Sequence, residues 1–112
     1  MPAPWIIALG LGALFVAANW DKLVNWLKDF TRKVANALRN LGHAAKIFAQ
    51  KVGNKVFQVL HRVFYKEDNQ WYQETTRTRV DESEVPEWAK AGVAQSETDV
   101  TDRYQRELQL TL

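Results

Sequence analysis

The chain has 112 residues, 46% of them hydrophobic, and a formal net charge of +2. That length allows one small domain, and the absence of cysteine excludes disulfides and thiolate metal sites. The near-neutral total conceals two opposed halves: Trp20 to Lys66 holds ten Lys/Arg against two Asp/Glu, and Glu67 to Leu112 holds five against eleven. Such asymmetry marks halves that meet different surroundings, or each other.

The first segment, residues 1–19, contains the uncharged run PWIIALGLGALFVAA. As a helix its 15 residues would reach roughly 23 Å, short of the ~30 Å hydrocarbon layer unless the flanks extend it or the bilayer thins. Trp5 and Trp20 bracket it as interfacial indoles do, and Pro2 and Pro4 suit a first helical turn. Ala8 with Gly12, and Ala13 with Ala17, repeat a small-xxx-small spacing that lets helices approach closely in lipid. A membrane-spanning helix is the expectation. A cleaved secretory signal, lacking its basic n-region, and a buried or interfacial helix remain open. The Lys/Arg excess that follows would place the C-terminal part in the cytoplasm, as in a single-pass protein.

Residues 20–63 read as one long basic amphipathic helix. Trp20, Leu23, Leu27, Phe30, Val34, Leu38, Leu41, Ala45, Phe48, Val52, Val56, Val59 and Val63 recur at steps of three or four. Lys28, Arg32, Arg39, Lys46, Lys51 and Lys55 fall on the opposite side, where they would meet an anionic ligand or lipid. Trp26, Ile47 and Phe57 break the pattern. The phase does not reset at Gly42 or Gly53-Asn54, so a continuous helix of roughly 66 Å is favoured over a helical hairpin. The stripe of Leu23, Leu27, Phe30, Val34, Leu41, Phe48 and Val52 would be buried in a parallel helical bundle or at the bilayer interface. Ordinary core packing explains the same stripe. Nine cations on one face, with Trp26 or Phe57 to stack on bases, also suit nucleic acid, although no recognised motif supports it.

Residues 64–112 form the acidic part. RVFYKEDNQWYQETTRTRV has two β-prone runs around Glu67-Asp68-Asn69-Gln70, which predicts a β-hairpin turning at Asp68-Asn69. Val63 and Tyr65 are expected to face Trp71 and Gln73 across it. Asp81-Glu82-Ser83 offers a cap, and Pro86 opens a short helix ending near Gly92. A last helix is expected over Asp99–Leu110, with Val100, Tyr104 and Leu108 at four-residue steps. The ending LQLTL could instead add as an edge strand or be read by a partner.

Catalytic chemistry is not visible. His43 and His61 are isolated in sequence, and Ser83 and Ser96 lie in no nucleophile motif. The acidic clusters around Glu84 and Asp99 lack calcium-loop spacing, and no glycine-rich phosphate loop occurs. No cofactor and no metal site are expected, and the chain reads as a non-enzyme. The expected fold is mainly α: a transmembrane helix running into the long helix, then a hairpin and a short C-terminal helix, in an oligomeric bundle. The function expected from it is a small homo-oligomerising membrane protein that forms or gates a channel or pore, in the outline of a bacterial toxin or defence effector regulated by an anionic ligand. The alternative is a membrane-tethered adaptor that binds a protein partner through its C-terminal region. Expected partners are membrane lipid, further copies of the chain, an anionic ligand including nucleic acid, and a protein at the C-terminal region.

Overall fold

A computed structural model of the chain describes residues 9–112. In order, the elements are β1 (Leu14–Val16), α1 (Trp20–Ala37), β2 (His43–Val52), β3 (Val56–Glu67) and β4 (Gln70–Asp81). A 3-10 turn (Glu82–Glu84), α2 (Glu87–Lys90), β5 (Thr98–Asp99) and α3 (Thr101–Leu108) complete them. The strands make one sheet in the order β1-β4-β3-β2-β5. Only β1 pairs parallel, along β4; every other pairing is antiparallel. This is a mixed α/β fold, and the mainly α expectation is wrong.

The transmembrane helix and the single-pass placement are corrected with it. No helix among the described residues is long and apolar enough to cross a membrane. Gly10 and Gly12 adopt φ +75 and +80, which stops a helix, and Leu14–Val16 then runs as a strand against β4. The uncharged run supplies a sheet edge and, through Leu11, part of the core. Trp20 packs edge-on against Trp88 and Tyr104, at 6.0 and 6.2 Å between ring centroids, rather than marking a headgroup level. The expectation that this run spans a membrane and lines a channel or pore is corrected with that helix.

The long helix survives only to Ala37. Asn19 caps it by accepting from the Lys22 amide, and Leu23, Leu27, Phe30, Thr31 and Val34 form its buried stripe. Leu38 closes it, and the Leu41 amide donates to the Leu38 carbonyl as the chain turns. From His43 the alternation has period two. Ala45, Ile47 and Ala49 of β2 stand beside Val63, His61 and Val59 of β3. Four-residue steps such as 48–52–56 are multiples of two, so they are as compatible with strands as with a helix. Ile47 and Phe57, which spoil the helical wheel, are both fully buried in the sheet. Gly53, at φ +69, lies in the turn between β2 and β3.

The next hairpin turns at Asp68-Asn69, both at positive φ, with Glu67 opposite Gln70. A two-residue turn sets Tyr65 against Tyr72 and Val63 against Glu74, one residue away from the expected register. Thr76, Thr78 and Val80 face inward and Arg77 and Arg79 outward.

The helices lie on the inner face of this sheet. Leu23 and Leu27 share a core with Ile47, Phe57, Val80, Ala89 and Tyr104. Asp81 accepts from the Ser83 amide to cap the 3-10 turn, and Pro86 precedes α2. The Tyr104 hydroxyl donates to the Ala89 carbonyl at 2.7 Å, and burial pushes that phenol up well beyond its usual range. Val100, Tyr104 and Leu108 are buried at the expected steps, although the last helix spans Thr101–Leu108. Leu110 is buried as well, so the tail belongs to the core and forms no strand.

Candidate functional site

The sheet has one face covered by α1 and the C-terminal helices and another that carries no helix. Pairing registers place the outer residues in rows. Ala44, Phe64 and Gln73 form one, and Lys46, Arg62 and Thr75 the next. Phe48, Leu60, Arg77 and Leu14 follow, then Gln50, Gln58, Arg79 and Val16. At the hairpin end Lys66 stands opposite Trp71. Cations and flat aromatic rings therefore share one surface because every second residue of β2, β3 and β4 points the same way.

The half of this face above β2 is occupied by the chain itself. Arg62 grips Glu97 with two hydrogen bonds of 2.9 and 3.2 Å, and its Nε donates to the Thr75 hydroxyl at 3.0 Å. The same guanidinium lies 4.7 Å from the centroid of the Phe48 ring. Arg62 holds the Glu97 carboxyl below the usual carboxylate range, chiefly through these hydrogen bonds. Gln50 donates to the Gln95 carbonyl, so the 94–97 segment is tied across β2 at two points.

On the rest of the face Leu60 and Gln58 of β3 are buried among their neighbours, and Arg77 and Arg79 of β4 are half-buried. Arg79 donates through Nε to Gln58, and neither Arg79 nor Arg77 makes an ion pair among the described residues. Trp71 is 65% exposed beside Lys66, and Phe64 is half-buried. The arginines and Lys66 can donate hydrogen bonds to a phosphate or carboxylate oxygen, and Trp71 and Phe64 offer π faces to a planar ring.

The cations expected to line a single helical face are dispersed. Lys28, Arg32 and Arg39 are exposed in and just after α1, where Asp29 pairs with Arg32 and Lys33 at 2.7 and 2.8 Å. Lys46 is on the outer sheet face, 3.8 Å from Asp99. Lys51 lies 3.3 Å from Glu82 at the end of β2, and Lys55 sits in the turn before β3. Of the expected bundle stripe, Leu23, Leu27, Phe30 and Val34 are buried under the sheet, Leu41 is half-buried after the helix, and Phe48 and Val52 lie on the outer face. Of the expected lipid contacts, Gly12, Ala13 and Ala17 flank β1 and Trp20 is in the inner core; Trp5 and Ala8 lie outside the described residues. Arg62, Arg77, Arg79, Phe64 and Trp71 were not legible as a site, because only the strand pairing puts them side by side. The visible signal was the alternation of Arg77 and Arg79 with Thr76, Thr78 and Val80.

Among the described residues no catalytic constellation is brought together beside this surface. Among the described residues no three His, Cys, Asp or Glu side chains gather as metal ligands. His61 is a mid-strand residue, fully buried beneath α1, with its ring edge-on to Phe30 at 5.1 Å. Burial pushes its pKa down to about 4. Among the described residues neither of its ring nitrogens, nor the Thr78 hydroxyl, meets a hydrogen-bond partner. His43 opens β2 with Nδ1 3.1 Å from the Leu41 carbonyl. The cleft lined by Asn54, Lys55, Asp81, Glu82, Ser83 and Lys90 contains no histidine to activate its serine, and Asp81 is engaged in capping. No protein-family model matches the chain, and no curated protein or solved structure is found similar to it.

Proposed function

We propose that the protein is a non-catalytic binding module that holds a single-stranded nucleic acid against the helix-free face of its sheet. The observation that carries this reading is the joint placement of Arg77, Arg79 and Lys66 with Trp71 and Phe64 on that face. A flexible polyanion needs cations to follow its phosphates and flat side chains for its unstacked bases, and a sheet surface offers both at strand spacing. The other basic surface, along α1, supports the reading less well. Its aromatic residues, Trp26 and Phe30, pack against each other and into the core, and Asp29 engages two of its cations. The pore and tethered-adaptor readings presuppose a spanning helix, which this proposal does not need.

Fluorescence anisotropy with a labelled single-stranded oligonucleotide tests it. Affinity should fall steeply with salt, and Arg77→Ala with Arg79→Ala should weaken binding about tenfold while lowering the salt slope by roughly 0.7 per lost phosphate contact. Trp71→Ala should cost ~1–3 kcal/mol of binding. Binding that is absent at low salt, or untouched by all three substitutions yet lost on Lys28→Ala and Arg39→Ala, contradicts the assignment.

A further inference from the structure

The two edges of the sheet are built differently. β5, at one edge, is two residues long and ends in Asp99, with Glu97 just before it. Short length and charge are the usual protection of an exposed edge against pairing with another chain. β1, at the other edge, has none of these devices apart from its brevity. Leu9 to Ala18 contains no charged residue and no proline. Leu14 is 50% exposed, Phe15 37% and Val16 80%.

The hydrogen-bonding phase of β1 is the informative part. The Ala13 carbonyl accepts from the Arg77 amide at 3.0 Å, and the Ala17 amide donates to the Arg79 carbonyl at 2.8 Å. Peptide groups alternate sides along a strand, so residues 13, 15 and 17 address β4, and Leu14 and Val16 turn their N–H and C=O groups away from it. The four outward groups are symmetric about Phe15.

We propose that this edge pairs with the same strand of a second copy, antiparallel, about a two-fold axis at Phe15. In that register Leu14 lies opposite Val16 of the other copy, and each such pair exchanges two hydrogen bonds. All four outward groups of both strands are then satisfied and the sheet continues across the dimer. Phe15 meets Phe15 as the intervening non-hydrogen-bonded pair, whose side chains approach most closely. On that side of the sheet a groove of about 310 Å³, lined by Phe15, Val16, Ala17, Ala18, Lys22 and Trp26, adjoins the edge. The second copy's Phe15 has the size and apolarity to enter it. The backbone groups would pair with any strand, so it is the apolar Phe15 and the groove beside it that favour a second copy. The identical strand supplies the matching ring, and a two-fold axis closes the assembly at two chains. The contact is small, so association is expected in the micromolar to millimolar range.

Sedimentation of the full chain from ~1 μM to ~1 mM tests this. The weight-average mass should rise from 12.9 kDa toward that of two chains. Val16→Lys should weaken the dimer at least about tenfold, because it places like charges at the paired edge. Trp71→Lys, similarly exposed but at the hairpin end, should leave it unchanged. Phe15→Cys, then the only cysteine, should cross-link two chains on mild oxidation, while Ala37→Cys on an exposed helix end should not. A single-chain mass at the highest concentration overturns the proposal, as does a Val16→Lys protein that associates as wild type does. Mass reports this surface and anisotropy reports the arginine face, so each proposal can fail without the other.

Discussion

The two faces of the sheet are made by the same strands and obey different rules. On the inner face the side chains of Ile47, Phe57, Val59, Val63 and Val80 are almost wholly withdrawn from water, and the polar residues admitted there, His61, Thr76 and Thr78, are buried with them. On the outer face stand Arg62, which is clasped by Glu97, and the half-buried Arg77 and Arg79. One residue of register separates a position buried under the helices from one on the face proposed to bind. That difference can be broken at single side chains.

The largest effect should come from the inner face. Phe57→Ala leaves a cavity beneath α1 and α2 and should cost ~3–5 kcal/mol in urea unfolding, whereas Arg77→Ala, on the paired strand but facing outward, should stay within about 0.5 kcal/mol. A comparable loss from both would erase the distinction between the faces.

The next effect is pH-dependent and also internal. The folded chain disfavours protonated His61, whose pKa lies at about 4 against 6.5 for a free imidazole. Its contribution is therefore fully present above pH 6.5 and is lost as pH falls toward about 4. The loss amounts to ~3 kcal/mol. His61→Leu should remove that acid slope. Because the imidazole nitrogens meet no partner among the described residues, the variant should be at least as stable as wild type at neutral pH. An unchanged slope between pH 7 and 4.5 would assign the acid sensitivity to the carboxylates instead.

Smaller effects sharpen the comparison at its boundary. Gly53→Ala meets no atom within 4 Å but must hold φ +69, so only backbone strain of about 1 kcal/mol is expected, read as a lower thermal midpoint. Glu97→Gln should release Arg62 for a ligand and tighten oligonucleotide binding roughly threefold. Weaker binding would mean that the Arg62–Glu97 clasp shapes the surface rather than competes for it.

Sequence reasoning reached some of this and missed the rest for physical reasons. The helical stripe from Trp20 to Val34, the Asp68-Asn69 turn and the Val100–Tyr104–Leu108 stripe are local features, written in turn chemistry and short periodicity. The β2–β3 hairpin was hidden because Phe48, Val52 and Val56 satisfy the helical and strand periods together. The informative residues were Ile47 and Phe57, which fitted only the strands. The apolar run before Trp20 has the composition of a membrane segment. Only the positive φ of Gly10 and Gly12 and the pairing of Leu14–Val16 with β4, both tertiary facts, turn it into a sheet edge. The arginine face was out of reach because it exists only after Arg62 of β3 is laid beside Thr75 and Arg77 of β4.

The most direct measurement is an amide NMR titration of the labelled chain with a short single-stranded oligonucleotide. The account predicts shifts concentrated at Phe64, Lys66, Trp71, Thr75, Arg77 and Arg79, with Leu23, Leu27 and the α1 surface at Lys28 and Arg32 unmoved. Shifts confined to α1, or none at saturating oligonucleotide in low salt, would contradict it.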